Sequence, residues 1–314
     1  MKNIDNEDVP HKRLEINKSW FSNKFHRIRD YFTSQFILEE LKVIEPTLTN
    51  FDEELAINFN QLTELEKEGT PISQVKILTL QIEDNFITAK LAELFPNIER
   101  LNIIGNRVCF AKDSISKFAS LNYLNIDNQT TVLSSGSISN CPHLAITRIK
   151  SKDFLVYGGK NFDTCPLLKD ISIDVTKFIA RQGSFESCSA DSFSVFAQKL
   201  TIGGNCFSNS FTTSIRLRSF MAEIKNTFYF CPNLEELKIL SKTLRIEDDF
   251  IVYCPKLKQK EIQNSWDYYA EMTKRKAISE KALAEASNVL NEERVRKNIS
   301  RIEDRLPTEE FRTR

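Results

Sequence analysis

Cysteine is the residue type best equipped for chemistry in this chain, and there are seven of them. A thiolate can act as a nucleophile or as a soft metal ligand. Both roles need company: a base beside the sulfur, or a second thiol a few residues away. No Cys-x-x-Cys pair occurs, nor does HExxH or GxSxG, and histidine is limited to His11, His26 and His143. Cys141, Cys165, Cys188, Cys231 and Cys254 recur instead at steps of 23 or 24 residues, with Ser210 filling the one skipped place, which reads as a buried structural column. Cys109 and Cys206 lie outside it and fit no ligand spacing. Gly158-Gly159-Lys160 looks like the end of a phosphate loop, but the upstream glycine is missing and Asn161 stands where Ser or Thr is needed. That triplet and Gly203-Gly204-Asn205 therefore read as turns. Asp170 and Asp174 share a strand face with Ser172 between them; general acid–base work is conceivable there, and a solvated strand face is the simpler reading. No catalytic residue, metal or cofactor is assigned.

What positions these residues is a repeat. Four segments read Cys-Pro-x-Leu, beginning at Cys141, Cys165, Cys231 and Cys254, and Phe95-Pro96-Asn97-Ile98 has the same form. A short alternating apolar segment follows each. Its paired positions are Leu78/Leu80, Leu101/Ile103, Leu124/Ile126, Thr147/Ile149, Ile171/Ile173, Phe193/Val195, Ile215/Leu217 and Leu237/Ile239, at steps of 22 to 24 residues, with a degraded ninth at Lys260/Ile262. Seven residues past the first apolar position comes a second pair, such as Val108/Phe110 and Phe178/Ala180. Further on stands a large apolar residue (Ile115, Ile138, Phe162, Phe185, Phe207, Phe228, Ile251), followed by the cysteine column. One such unit cannot bury its own inward residues, whereas stacked units bury them as continuous ladders.

The segment FPNIERLNIIGN matches L-x-x-L-x-L-x-x-N, and KNFDTCPLLKDISI and TFYFCPNLEELKI carry the form F-x-x-C-x-x-L-x-x-I-x-I. With these the chain resembles leucine-rich repeat proteins, most closely the BspA-like subclass. The resemblance implies an α/β solenoid, a leucine-rich-repeat superhelix of about eight units of 22–24 residues with helical caps. The consensus asparagine is matched only at Asn106; Gln129, Lys152, Thr176, Gln198, Phe220 and Lys242 stand at the equivalent positions. In such a fold the residues between inward positions point to the concave side. The resemblance thus nominates Arg100, Tyr123, Asp127, Arg148, Lys150, Asp170, Asp174, Phe196, Arg216, Arg218, Glu236 and Lys238 as a partner-binding face.

The flanks read as helical, dividing the chain into residues 1–70, 71–262 and 263–314. Phe21, Phe25, Ile28, Phe32 and Phe36 form an amphipathic face. A second helix is expected to start at Asn50 with Glu53 closing a capping box, to carry Phe51, Leu55, Phe59, Leu62 and Leu65 on one face, and to stop at Gly69-Thr70-Pro71. Together they would cap the first repeat. From Ser265 onward a long helix is expected; Trp266, Tyr268 and Tyr269 would pack it onto the last repeat, and Val295, Ile299, Ile302 and Leu306 have coiled-coil spacing.

Composition narrows the function. Basic and acidic residues balance at 43 each, so the field that nonspecific nucleic-acid binding needs is missing. Glycine is only 8 residues in 314, too few for extensive phosphate cradles. No apolar run is long enough to span a membrane, and MKNIDNEDVPHKRLEINK lacks the apolar segment of a secretory signal. The expectation is a cytoplasmic, non-catalytic module that binds a protein or peptide; unconventional export or host delivery stays open. The alternative is a scaffold that tethers a partner or forms a homo-oligomer through the carboxy-terminal helix. A secreted effector or surface adhesion protein, as the subclass implies, ranks below both.

Overall fold

The computed structural model describes residues 53–87, 91–278 and 281. Ten strands form one parallel sheet: β1 (Glu54–Asn58), β2 (Ile77–Ile87), β3 (Arg100–Phe110), β5 (Tyr123–Leu133), β7 (Ile146–Val156), β8 (Asp170–Ala180), β9 (Ser192–Ile202), β10 (Ser214–Ile224), β12 (Glu236–Ile246) and β14 (Gln259–Asn264). Two-residue strands pair on the return side of the coil: β4 (Ile115–Ser116) with β6 (Ile138–Ser139), and β11 (Phe228–Tyr229) with β13 (Ile251–Val252). The fold is a parallel solenoid of leucine-rich-repeat type. Its connections are mostly turns and extended pieces, with helices only at α1 (Phe59–Glu68), α2 (Leu91–Leu94) and α3 (268–278) among the described residues.

The register is the one the repeat spacing implies. Leu78, Leu101, Leu124, Thr147, Ile171, Phe193, Ile215 and Leu237 pair in one unbroken row, and Leu237 pairs with Lys260 of β14. Each of the eight long strands has 11 residues, with a corner inside it. In β8, Ile171, Ile173 and Val175 are buried, then Phe178 and Ala180. The inward step of two becomes three across Thr176 and Lys177, so the strand bends, and Thr176 drops out of the ladder. The first arm runs before this corner and the second arm after it. Asn106, the one match to the consensus asparagine, falls on the corner and is exposed, so no buried asparagine ladder forms.

The last inward residue before the corner is usually small: Gly105, Asn128, Ser151, Ala197, Ser219 and Ser241. A Cβ on Gly105 would sit 1.5 Å from the Ile82 carbonyl oxygen, so only glycine fits there. The polar members bond to one another or to the adjacent Thr131, which accepts from the Asn128 amide at 3.3 Å. Thr131 and Ser151 share a 2.7 Å hydrogen bond and Ser219 donates to Ser241 at 3.2 Å.

The return side is held by a phenylalanine stack. Phe185 lies 6.3 Å from Phe162 and 5.2 Å from Phe207, and Phe207 lies 5.5 Å from Phe228, all stacked. Just beyond it the chain reverses through a left-handed residue in each of the seven coils from β3 to β14. Lys117, Asn140, Thr164, Ser187, Asn209, Phe230 and Tyr253 have φ between 51° and 61°.

The amino-terminal flank differs from expectation. Residues 54–58 form β1, paired in parallel with β2 and putting Leu55 beside Leu78. The helix begins later, at Asn58, whose side chain accepts from the Gln61 N–H while Gln61 accepts from Asn58. Pairing with β2 outweighs helix propensity because Leu55 and Ile57 repeat the Leu78/Leu80 pattern one coil earlier. Gly69 ends the helix with φ 65°. The Phe21–Phe36 face and the Val295–Leu306 seam lie outside the described residues. The solenoid is one compact unit, Thr47–Thr273.

Two substitutions test the ladders. The Thr147 hydroxyl is buried in the Leu/Ile row with no hydrogen-bond partner, so Thr147→Val is expected to stabilise by about 1 kcal/mol. Phe185→Ala opens the centre of the stack and is expected to destabilise by about 3–5 kcal/mol. Urea unfolding of the full chain measures both.

Candidate functional site

In the first arm the first, third and fifth strand residues point away from the core and stack across strands as three columns. The third runs Asn102, Asn125, Arg148, Ser172, Ser194, Arg216, Lys238 and Glu261. The fifth includes Asp127, Lys150, Asp174, Phe196 and Arg218 in successive strands. All twelve nominated residues therefore lie on one face. Their environments differ, because the chain's own carboxy-terminal segment covers part of it.

The covering segment starts at Ser265, where φ is 94°. The N–H groups of Ser265 and Trp266 both donate to the Ser241 carbonyl, turning the chain back over earlier strands. Tyr268 then stacks on Phe196 of β9 at 5.2 Å, with Trp266 edge-on to Phe196 at 6.4 Å. Tyr268 and Tyr269 flank Phe220 of β10 at 5.9 and 5.6 Å, and Glu271 pairs with Arg218 at 3.5 Å. These aromatics thus cross to strands well inside the solenoid, beyond the last repeat. Phe196 is only 3% exposed and serves as the seat for Tyr268.

Arg148 and Arg216 occupy the same column with opposite roles. Arg148 is 9% exposed and ion-paired to Asp170 of the next strand. Arg216 keeps 45% of its side chain exposed while donating to Glu236 at 2.8 and 3.2 Å. Glu236 also accepts from Ser214 at 2.6 Å and meets Lys238 at 3.0 Å, and Lys238 reaches Glu261 at 3.7 Å. Burial alone would raise the Glu236 carboxyl. Hydrogen bonds from Ser214, Lys238 and Arg216 outweigh it and hold the group at about 2. Asp127 moves the other way: burial raises it, opposed by Lys150. At the amino-terminal end Arg100 lies over the Tyr123 ring at 4.9 Å.

The cysteines divide in two: a hydrogen bond from Cys165 lowers Cys141, and one from Cys231 lowers Cys254 to about 7. Burial pushes Cys188 up to about 11 and Cys206 up to about 12. Cys165 and Cys231 are raised by hydrogen bonding to the neighbouring sulfurs of Cys141 and Cys254, and then by burial. Among the described residues no group of three or more His, Cys, Asp or Glu side chains is placed to hold a metal ion. The two glycine turns behave as turns: buried Asn161 accepts from the Ser137 N–H and donates to the Gly158 carbonyl.

The family model for the BspA type leucine rich repeat region matches six copies, over residues 93–210 and 158–277. The chain belongs to the BspA-type leucine-rich-repeat proteins. Comparison with curated proteins and with solved structures gives no match. In this BspA-type solenoid the matched copies include the strands that carry the Glu236 cluster and the Phe196 seat. No helix among the described residues is long and apolar enough to cross a membrane.

Sequence spacing alone missed the cover. The signal was present in the aromatic triplet Trp266, Tyr268 and Tyr269 directly after the last strand, an apolar load too large for the frayed end of a sheet.

The Glu236 cluster has a pH signature. Its carboxyl is depressed from 4.5 to about 2, so the stabilisation it contributes is complete above 4.5 and disappears as pH falls towards 2. Glu236→Gln is expected to lower stability by about 1–2 kcal/mol at pH 7 and to flatten the pH dependence in that window. Denaturant unfolding at stepped pH, with carboxyl NMR titration of Glu236, checks both.

Proposed function

We propose that this protein is a non-catalytic binding module that recognises a protein or peptide across the outward face of its first arm. One observation carries the reading: Arg216, Glu236, Lys238 and Glu261 form a continuous network over three successive strands, accessible at Arg216 and fixed by mutual bonds. Side chains already held in place lose little freedom on binding, so affinity is not spent on ordering them. The same face continues through Asp174, Lys150, Asp127, Tyr123 and Arg100 toward the amino-terminal strands. Alternating charge suits a polar partner with its own pattern and disfavours a polyanion, which wants one sign throughout. Arginine and tyrosine are also the residue types that most often anchor protein interfaces.

Arg148 and Arg216 separate stability from recognition. Arg216→Ala and Lys238→Ala remove exposed charges whose pairs contribute under about 1 kcal/mol. The melting temperature should stay within about 3 °C of wild type, while capture of a partner by the immobilised full chain should fall at least tenfold. Arg148→Ala strands Asp170 and should lower the melting temperature measurably. Partners captured equally by wild type, Arg216→Ala and Lys238→Ala would count against this face.

A further inference from the structure

The cysteine column ends in a pair that differs from the rest. Six of the seven cysteines are buried, and Cys254 is half-buried. It stands in the last coil and helps line an open cleft of about 550 Å³ beside Phe230 and Tyr253. One coil earlier stands Cys231, 1% exposed. Ser210 takes the next place back along the column, so the pair has no third column thiol one coil away.

The last two returns bring these sulfurs together. Strands β11 and β13 pair Phe228 with Ile251 and Tyr229 with Val252, and the Phe230 N–H donates to the Val252 carbonyl at 2.9 Å. Phe230 and Tyr253 then share φ 55°, and their rings stack 4.7 Å apart. Cys231 and Cys254 come next in both coils. Neighbouring parallel strands lie about 4.8 Å apart, and a disulfide spans Cα atoms about 4.4–6.8 Å apart. The sulfurs already meet in a hydrogen bond, so a covalent bond between them is within reach of the existing backbone.

The Cys231 thiol has one proton and two acceptors, the Phe207 carbonyl at 3.1 Å and the Cys254 sulfur. Its bond to sulfur lowers Cys254 to about 7 and raises Cys231. Burial agrees with that division, since charge is more stable on the sulfur nearer water. Cys254 combines thiolate character with access, the two requirements of a reactive cysteine, and Cys231 lies against it as a protonated thiol. Cys141 and Cys165 form a hydrogen-bonded pair of the same kind in earlier coils. Both are 0% exposed, so they have the pairing and lack the opening.

We propose that Cys254 and Cys231 are a peroxide-sensitive thiol pair that closes to a disulfide across the last two returns, with Cys254 the site of attack and Cys231 the resolving thiol.

The oxidant is a hydroperoxide, consumed one per disulfide. The Cys254 thiolate attacks a peroxide oxygen; the S–O bond forms, the O–O bond breaks, and the departing oxygen takes a proton from solvent and leaves as water or an alcohol. Cys254 is then a sulfenic acid, oxidised by two electrons that the peroxide has accepted. The Cys231 sulfur next attacks the Cys254 sulfur. The S–S bond forms, the S–O bond breaks, and the hydroxyl leaves as water with the Cys231 proton. The pair shares no residue with the first-arm face, so either proposal can fail alone.

The test exposes the reduced full chain to a small excess of hydrogen peroxide at pH 7, quenches with N-ethylmaleimide, and digests without reductant for mass spectrometry. A Cys231–Cys254 cross-linked peptide is expected, reversible by dithiothreitol, while Cys141 and Cys165 stay free to be alkylated after denaturation. In Cys231→Ser, Cys254 should stop at the sulfenic acid and be trapped by dimedone; in Cys254→Ser, Cys231 should stay reduced. If either variant fails to fold, alkylation of the native, unaltered chain decides: Cys254 should react at least tenfold faster than Cys141, and its alkylation should prevent the cross-link. Cys254 remaining reduced overturns the proposal, as does a disulfide between chains in place of the internal one, or equal alkylation of Cys254 and Cys141. So does a Cys141–Cys165 cross-link that forms as fast as Cys231–Cys254, which would assign the reaction to a loosened fold.

Discussion

Every coil, whether of 22 or 24 residues, must return its strand to the same register, because parallel pairing places each strand residue beside its counterpart one circuit away. That constraint governs the rest of the structure. Identical positions become columns, and a column is stable only if its members pack on one another in a line. Leucine and isoleucine do this in the first arm, phenylalanine on the return side and small residues at the corner. The hydrogen-bond ladder and the hydrophobic ladder share one spacing, so a misfit in one coil is felt by the two that flank it. Gly105 shows how narrow the tolerance is, since its neighbour's carbonyl occupies the space a side chain would need.

Column logic also explains where polar and ionisable groups can exist. A thiol fits the return column because it is small and weakly polar. A carboxylate such as Glu236 survives beside the sheet only where donors from its own and the adjacent strand converge on it. Charges on the first arm are therefore partnered from strand to strand. The face becomes a rigid, patterned surface in which the pattern is written by single substitutions within columns.

Much of this was legible in the sequence because the dominant signal is one of spacing. Period, register and the inward rows follow directly from recurring pairs such as Leu101/Ile103 and Ile171/Ile173. Strand β1 was hidden because Leu55, Phe59, Leu62 and Leu65 also satisfy a helical period, and only pairing with β2 decides between the two. Spacing gave Arg148 and Arg216 the same address. Each pairs with the first carboxylate of the next strand, Asp170 or Glu236; what separates them is burial, with the Arg148 side chain 11% exposed and that of Arg216 45%, a property of neighbours in three dimensions. The aromatic triplet announced a packing segment but not its seat on Phe196, for a related reason: a repeat describes how coils meet coils and says nothing of where a chain that leaves the repeat and turns back will land. The left-handed return residue was concealed by variety, since lysine, asparagine, threonine, serine and aromatics all occupy it.

The turn at Ser265 has a further consequence, for the order of events in folding. Nearly all contacts of the solenoid join residues one coil apart, so strands can add to or leave either end singly, like a zipper. Tyr268 on Phe196 is different. It joins the segment after the last strand to β9, passing over β12 and against Phe220 of β10, and can form only when those strands are in place. Such a contact belongs late in assembly, and a late contact acts mainly on the rate of unfolding. It works as a latch at one end of the zipper: fraying from the carboxy-terminal side must first lift the ring from its seat. The opposite end is closed differently, by the short β1 paired with β2 and by α1.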